Sequence, residues 1–235
     1  MEKILIIIPT YNEVDNISHI ISKIFICAPN VNILVVDDSS PDGTSLEVKK
    51  IINKYPDKLF LLNRKEKLGL GPAYISGFRW ALDKNYEIIF EMDADFSHDP
   101  KEILNMLKTL NDGYDLVIGS RYKEGINVLN WPLGRILLSY IASLYVRLIT
   151  GMPIRDSTSG FVAYKSIILK KIGLDNIKFQ GYAFQIEMKY KSWINGFKLV
   201  EHPIVFKNRV KGESKMNINI FWEAIFGVIK MRLFK

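Results

Sequence analysis

Apolar runs alternate with helix-length segments through the first half of the chain. The runs are "ILIII" (4–8), "NILVV" (32–36), "KLFLL" (58–62), "YEIIF" (86–90) and "YDLVIGS" (114–120). Between them, 13–27, 43–55, 71–84 and 100–111 carry helical periodicity. Continuous Ile, Val and Leu without polar alternation suits strands covered on both faces. The pattern predicts a doubly wound α/β fold with a mostly parallel sheet and helices on both faces.

Beyond residue 120 the rhythm changes. A long apolar segment, 131–150, precedes the loop-like "GMPIRDSTSG" and the short run "FVAYK". A helix over 182–195, the extended "FKLVEHPIVF" and a last helix over 217–235 follow. With no repeat or linker, residues 1–216 read as one domain and 217–235 as a C-terminal amphipathic helix. In that helix Ile218, Phe221, Trp222, Ile225 and Ile229 recur at helical spacing, and Lys230, Arg232 and Lys235 gather near its end. Two readings stay open, a helix in the interface of an anionic leaflet or one packed on the domain.

At 235 residues and 48% hydrophobic, the chain has ample material for a core. Its one cysteine, Cys27, excludes an internal disulfide framework and suits a reducing compartment. "MEKILIIIPT" runs straight into strand-like sequence, so the expectation is a mature chain without a leader. Arg135 and Arg147 interrupt the 131–150 segment, which argues for a buried or interface-lying helix rather than a membrane span. The net charge of +7 admits nucleic acid, an anionic membrane or anionic small substrates, and does not choose among them.

Polar chemistry gathers where ligands bind in open α/β sheets, beyond the carboxyl ends of strands. Those ends read "PTYNE" (9–13), "DDSSPDGT" (37–44), "DADFSHD" (93–99) and "GSRY" (119–122). If Asp93 and Asp95 continue a strand they share a face and repel by roughly 3 kcal/mol at an effective dielectric of about 20. A hard cation, Mg²⁺ or Mn²⁺, would relieve that repulsion and keep positions open for phosphate oxygens. The competing reading is helix capping by Ser97 or Asp99 before Pro100. Asp37 and Asp38 fit a turn as well as a nucleoside contact. "LGLGPA" (68–73) lacks the spacing of a phosphate loop and reads as a helix-entry loop. His19, His98 and His202 show no ligand spacing.

Taken in order, "PTYNE", "VVDDSSPDGT", "LGLGPAY", "MDADFSH", "GSRY", "DSTSGF", "GYAFQIEM" and "NRVKGESKM" resemble family 2 glycosyltransferases of the dolichyl-phosphate mannose synthase group. The resemblance spans residues 4–216 and implies a GT-A fold whose DXD motif is Asp93-Ala94-Asp95. It implies that Pro9, Tyr11, Glu13, Val36 and Asp38 hold the nucleoside. Asp93, Ala94 and Asp95 would meet the diphosphate and a Mg²⁺ or Mn²⁺ ion, with Ser97 standing where some relatives have Gln. Arg121, Arg209 and Lys215 would contact phosphates, and Arg121, Arg135 and Ser139 would clamp the acceptor. Gln185 and Glu187 would shape the sugar pocket.

The implied reaction moves mannose from GDP-mannose to a dolichyl or polyprenyl monophosphate with inversion. Such an acceptor, with a second pKa near 6, is already a nucleophilic anion at neutral pH, so no general base is needed. The difficulty is joining two anions, which calls for arginines and a cation. The same resemblance implies a peripheral enzyme on the cytoplasmic face of a membrane, held by its own helix or by small membrane-anchoring subunits. A UDP-sugar donor is the alternative within the class. A receiver-type regulatory module would need an aspartate after its third strand, where this chain has "LLNRKEK". Scattered lysines argue against nucleic acid as a partner.

Overall fold

The computed structural model describes residues 2–208 and 218–233; of residues 218–224 only the backbone is described. In chain order the elements are β1 (Ile4–Thr10), α1 (Val14–Cys27), β2 (Asn32–Asp37), α2 (Thr44–Ile52), β3 (Leu59–Asn63), α3 (Leu70–Asp83), β4 (Ile88–Glu91), α4 (Glu102–Asn111) and β5 (Leu116–Ser120). The second half holds β6 (Val128–Leu129), α5 (Leu133–Thr150), β7 (Val162–Lys165), α6 (Ser166–Ile172), α7 (Tyr182–Ile194), β8 (Leu199–Pro203), β9 (Phe206–Lys207) and α8 (Ile218–Leu233).

Seven strands form one sheet in the order β3-β2-β1-β4-β7-β5-β8. The apolar runs of β1, β2, β4 and β5 are buried on both sides, whereas β3, at the sheet edge, is mostly half-buried. Leu5, Ile7, Leu34 and Val36 pack with Tyr74, Phe78 and Phe184 on one face. Ile6, Ile8, Ile33 and Val35 pack with Ile17, Ile21, Ile24 and Met106 on the other. Alternate residues of a strand point to opposite faces, so one run feeds both layers. At Gly77 in α3 an added Cβ would come within 2.8 Å of Ile7, so the absent side chain lets the helix lie directly on β1.

β7 is antiparallel to both β4 and β5, while the remaining pairs in this sheet are parallel. This reversal positions the site. Val162, the first residue of β7, pairs with Glu91, the last of β4, and with Ile118 near the end of β5. The loop that enters β7 is thereby set between the carboxyl ends of its two neighbours.

The 131–150 segment forms α5, but the helix is not buried. Only Ser143, Val146 and Thr150 are enclosed, whereas Leu133 (72%), Ile141 (58%) and Leu148 (74%) are exposed. Among the described residues it is the one helix long and apolar enough to cross a membrane by length and composition, with a mean hydropathy of 1.3. α8 packs on α5 and α7. Val228 and Met231 enter the core, and the Tyr145 hydroxyl donates to the Ile225 carbonyl at 3.0 Å. The outer side of α8 leaves Phe226 and Leu233 exposed.

Candidate functional site

Asp93 and Asp95 lie just past the end of β4, in a loop, so the shared strand face expected for them does not exist. A turn brings them together instead. Phe96 has φ +64°, and Asp95 Oδ1 accepts hydrogen bonds from the Ser97 amide at 3.0 Å and the Ser97 hydroxyl at 2.5 Å. Asp95 is buried at 7% exposure, while the Asp93 side chain stays 37% exposed. Ser97 therefore serves the turn, and Asp99 caps the approach to α4 by accepting from the Lys101 amide at 3.1 Å. Both carboxylates line one polar cavity, and the N-cap position of α4, Lys101, makes no side-chain capping bond of its own.

Beneath them His98 is buried at 1% exposure and stacks on Phe161, with ring centroids 5.0 Å apart. Burial pushes its pKa down to about 4 against the pull of Asp95. The ring is thus neutral at pH 7, and its 4.0 Å approach to the Asp93 carboxylate is not an ion pair. Its Nδ1 instead accepts from the Asp93 amide at 3.3 Å. Glu102 engages His202 at 2.9 Å on the surface, and no group of three or more His, Cys, Asp or Glu side chains forms a metal cluster among the described residues.

Arg121 follows β5 directly and is gripped by the loop entering β7. Asp156 accepts from the Arg121 amide at 2.9 Å, from Nε at 2.7 Å and from Nη2 at 2.6 Å, and the Thr158 hydroxyl accepts from Nη2 at 2.9 Å. One edge of the guanidinium is saturated, while Nη1 makes no hydrogen bond among the described residues. Burial works to raise the Asp156 pKa, but Arg121 outweighs it and the carboxyl is held below its ordinary value. Asp156 is anchored in turn by its amide, which donates to Glu201 Oε1 at 2.8 Å; Ser120 donates to the same oxygen at 2.8 Å.

A second buried cation braces that loop from behind. Lys189 of α7 has no exposure and donates from Nζ to the Ser159 carbonyl at 2.8 Å. Burial lowers its pKa to about 8, against an upward pull from Glu91. Glu91 shares the enclosure and is raised to about 7 by burial, partly offset by Lys189.

Two cavities meet at this point. A polar one of about 90 Å³ is lined by Asp93, Asp95, Ser97, Arg121, Thr158 and Tyr182, among others. An apolar one of about 320 Å³ opens between α5, α7 and α8, lined by Leu138, Ile141, Tyr145, Val146, Ile186 and Ile225. Arg121, Trp131, Arg135, Thr158 and Tyr182 border both. Ser139 also faces the apolar cavity, where its hydroxyl accepts from the Tyr122 hydroxyl at 2.8 Å. Arg121, Arg135 and Ser139, predicted as one cluster, do converge here.

The residues predicted for a nucleoside line neither cavity. They sit on the adjoining strand ends, where Pro9 pairs with Val36 across β1 and β2. Val36 is fully buried in the core, so only its backbone can face a ligand. Asp38 binds Arg64 at 2.6 Å and accepts from the Leu68 amide at 3.3 Å. Asp37 is a turn anchor, accepting from Thr10, Ser40 and Ser45. Lys67 lies 3.8 Å from the Tyr11 ring centre, and Glu13 accepts from Asn16 at 2.9 Å.

The glycine loop does not cradle an anion: Gly71 donates to the Gln180 carbonyl at 2.8 Å, and an added Cβ would strike the Phe179 carbonyl at 2.9 Å. Gln185 and Glu187, expected to shape a sugar pocket, line neither cavity. Both are buried, and Glu187 accepts from the Lys178 and Phe179 amides. Arg209 and Lys215 lie outside the described residues. Asp156, Thr158, Lys189 and Trp131 carry no role that the residue pattern alone points to. The available signal was a charged "DSTSG" loop placed directly before an apolar strand.

With this geometry in view, known proteins narrow the identity. Residues 5–173 match the family described as Glycosyl transferase family 2. A polyprenol monophosphomannose synthase from Mycolicibacterium smegmatis is 44% identical over 97% of this chain and 86% of its own length. An undecaprenyl-phosphate mannosyltransferase from Micrococcus luteus is 41% identical over 98% of this chain and 94% of its own. Among solved structures, a mannosyltransferase of Pyrobaculum calidifontis in complex with GDP-Man and Mn²⁺ superposes with a TM-score of 0.64 at 19% identity, covering 99% of this chain and 70% of that one.

Proposed function

The chain belongs to glycosyl transferase family 2, and from that premise we propose that it transfers mannose from GDP-mannose to a polyprenyl monophosphate with inversion. One observation carries the acceptor: an apolar cavity of about 320 Å³ opens onto a polar one across a rim bearing Arg121 and Arg135. A molecule with a hydrocarbon tail and an anionic head matches that junction in both halves. The acceptor phosphate is its own nucleophile, so the rim is not required to supply a general base.

In this reading the free edge of Arg121, with Arg135 and Ser139, holds the lipid phosphate against the sugar carbon under attack. Asp156 fixes the guanidinium so that its donors need not reorganise as charge shifts from acceptor to leaving diphosphate. Pro9, Tyr11, Glu13, Val36 and Asp38 flank the nucleoside on the neighbouring strand ends, with Val36 contributing main chain only.

The carboxylates suit a divalent cation. Asp93 and Asp95 offer hard oxygen donors in a polar cavity, with Ser97 beside them, and supply only part of a coordination shell. That is the donor set of Mg²⁺ or Mn²⁺ sites completed by substrate phosphates. When bound, the cation supplies charge neutralisation of the departing diphosphate.

The exposed apolar face of α5 is assigned to a bilayer, beside the cavity that receives the lipid. The single cysteine fits the cytoplasmic side, and the chain attaches peripherally. Incubation with GDP- and UDP-sugars, Mn²⁺ or Mg²⁺, and farnesyl phosphate tests this. Label from GDP-mannose should enter lipid and be lost in Asp95→Asn. Transfer from a UDP-sugar alone would overturn the donor, and no lipid product from any donor would overturn the acceptor.

A further inference from the structure

We propose that Trp131 is an additional acceptor-binding residue, whose indole N–H donates to the lipid phosphate where the apolar cavity opens on the polar one. The proposal rests on the polyprenyl-phosphate reading above and deepens it. Trp131 borders both cavities, and its Nε1 is buried with no hydrogen-bond partner among the described residues. A buried indole N–H ordinarily finds an acceptor, because it can only donate and loses its water on burial. The missing partner is therefore an oxygen that arrives with a ligand.

The surroundings specify that oxygen as anionic. Arg135 lies 4.0 Å from the centre of the Trp131 ring, and Arg121 lies 5.5 Å away. Two guanidinium groups flank one indole, and although Asp156 pairs with Arg121, donors of this kind suit the several acceptor oxygens of a phosphate monoester better than a neutral hydroxyl.

The ring does not need its N–H to stay in place. β6 pairs with β9 just before it, the Asn208 side chain donates to the Asn130 carbonyl at 3.2 Å, and the indole meets Phe206 edge-on at 5.2 Å. The donor is free for a substrate while packing and backbone fix the ring that bears it.

Trp131→Phe keeps an aromatic face for both arginines and removes the donor, whereas Trp131→Leu removes both. Binding of farnesyl phosphate, measured by calorimetry, reads the effect without requiring turnover. Trp131→Phe should weaken it about tenfold, the low end for a hydrogen bond to a charged group. The acceptor KM should rise in parallel, with GDP-mannose affinity and melting temperature unchanged, and Trp131→Leu should lose more. If wild type binds farnesyl phosphate and Trp131→Phe binds it equally well, the Trp131 assignment fails while the acceptor reading stands. A loss confined to GDP-mannose affinity would also overturn it. If wild type itself fails to bind farnesyl phosphate, the acceptor reading falls and this assignment falls with it.

Discussion

Asp156→Asn should unfold the protein more easily by about 3 kcal/mol, the low end for breaking one side of a buried ion pair. The magnitude follows from the geometry. Asp156 has no exposure, Arg121 has 7%, and three hydrogen bonds of 2.6 to 2.9 Å join them. Asparagine retains one acceptor oxygen but none of the charge, leaving the guanidinium desolvated and unneutralised. For a domain of this size the loss corresponds to a drop in melting temperature of about 6–12 °C. Urea unfolding followed by circular dichroism measures it. The decisive comparison adds Arg121→Met/Asp156→Leu, in which both charges are gone. Because the cost arises from the orphaned partner, the double variant should be more stable than the sum of its singles by about 1 kcal/mol or more. A loss below about 1 kcal/mol in Asp156→Asn, or strict additivity, would refute the reasoning.

Acid should erase the same contribution. The folded Asp156 pKa lies below the ordinary value of 3.8, so the unfolded chain takes up the proton first. The stability this group adds is full above the unfolded value and disappears as pH falls through the folded one. Wild type and Asp156→Asn should differ at neutral pH and converge in strong acid; parallel curves in acid melts would contradict the assignment. On α5, Leu137→Glu/Leu148→Glu alters side chains that are 52% and 74% exposed and line neither cavity. It should abolish co-sedimentation with phospholipid vesicles while sparing binding of soluble farnesyl phosphate, and undiminished sedimentation would remove α5 as the membrane face.

Much of this arrangement was legible in the residues. Runs such as "ILIII", rich in β-branched residues and bounded by helix-length segments, read as strands covered on both faces. The strand-end placement of Asp93, Asp95 and Arg121 followed from that register. β7 was not legible as a reversed strand, since "FVAYK" has the same composition whichever way it pairs, and pairing direction depends on distant partners. Asp156 was invisible for the same reason: 35 residues separate it from Arg121. Gln185 and Glu187 line neither cavity because their motif marks a helix packed behind the 178–180 loop, and a motif does not record which side of a helix faces a cavity. The sequence left α5 either buried or interface-lying because apolar content alone does not say whether protein or lipid covers a helix.

The Arg121–Asp156 pair also clasps a handle. Between these residues the chain leaves the sheet, runs through β6 and α5, and returns to the clasp before entering β7. The helix proposed to meet lipid is thus a loop-out with both feet tied at one buried point beside the polar cavity. The exposed side of such a handle can change without disturbing its feet, whereas its inner side carries Arg135 and Ser139 to the cavity rim. Adaptation of the exposed side to different bilayers is thereby tied to the same helix whose other side lines the cavities.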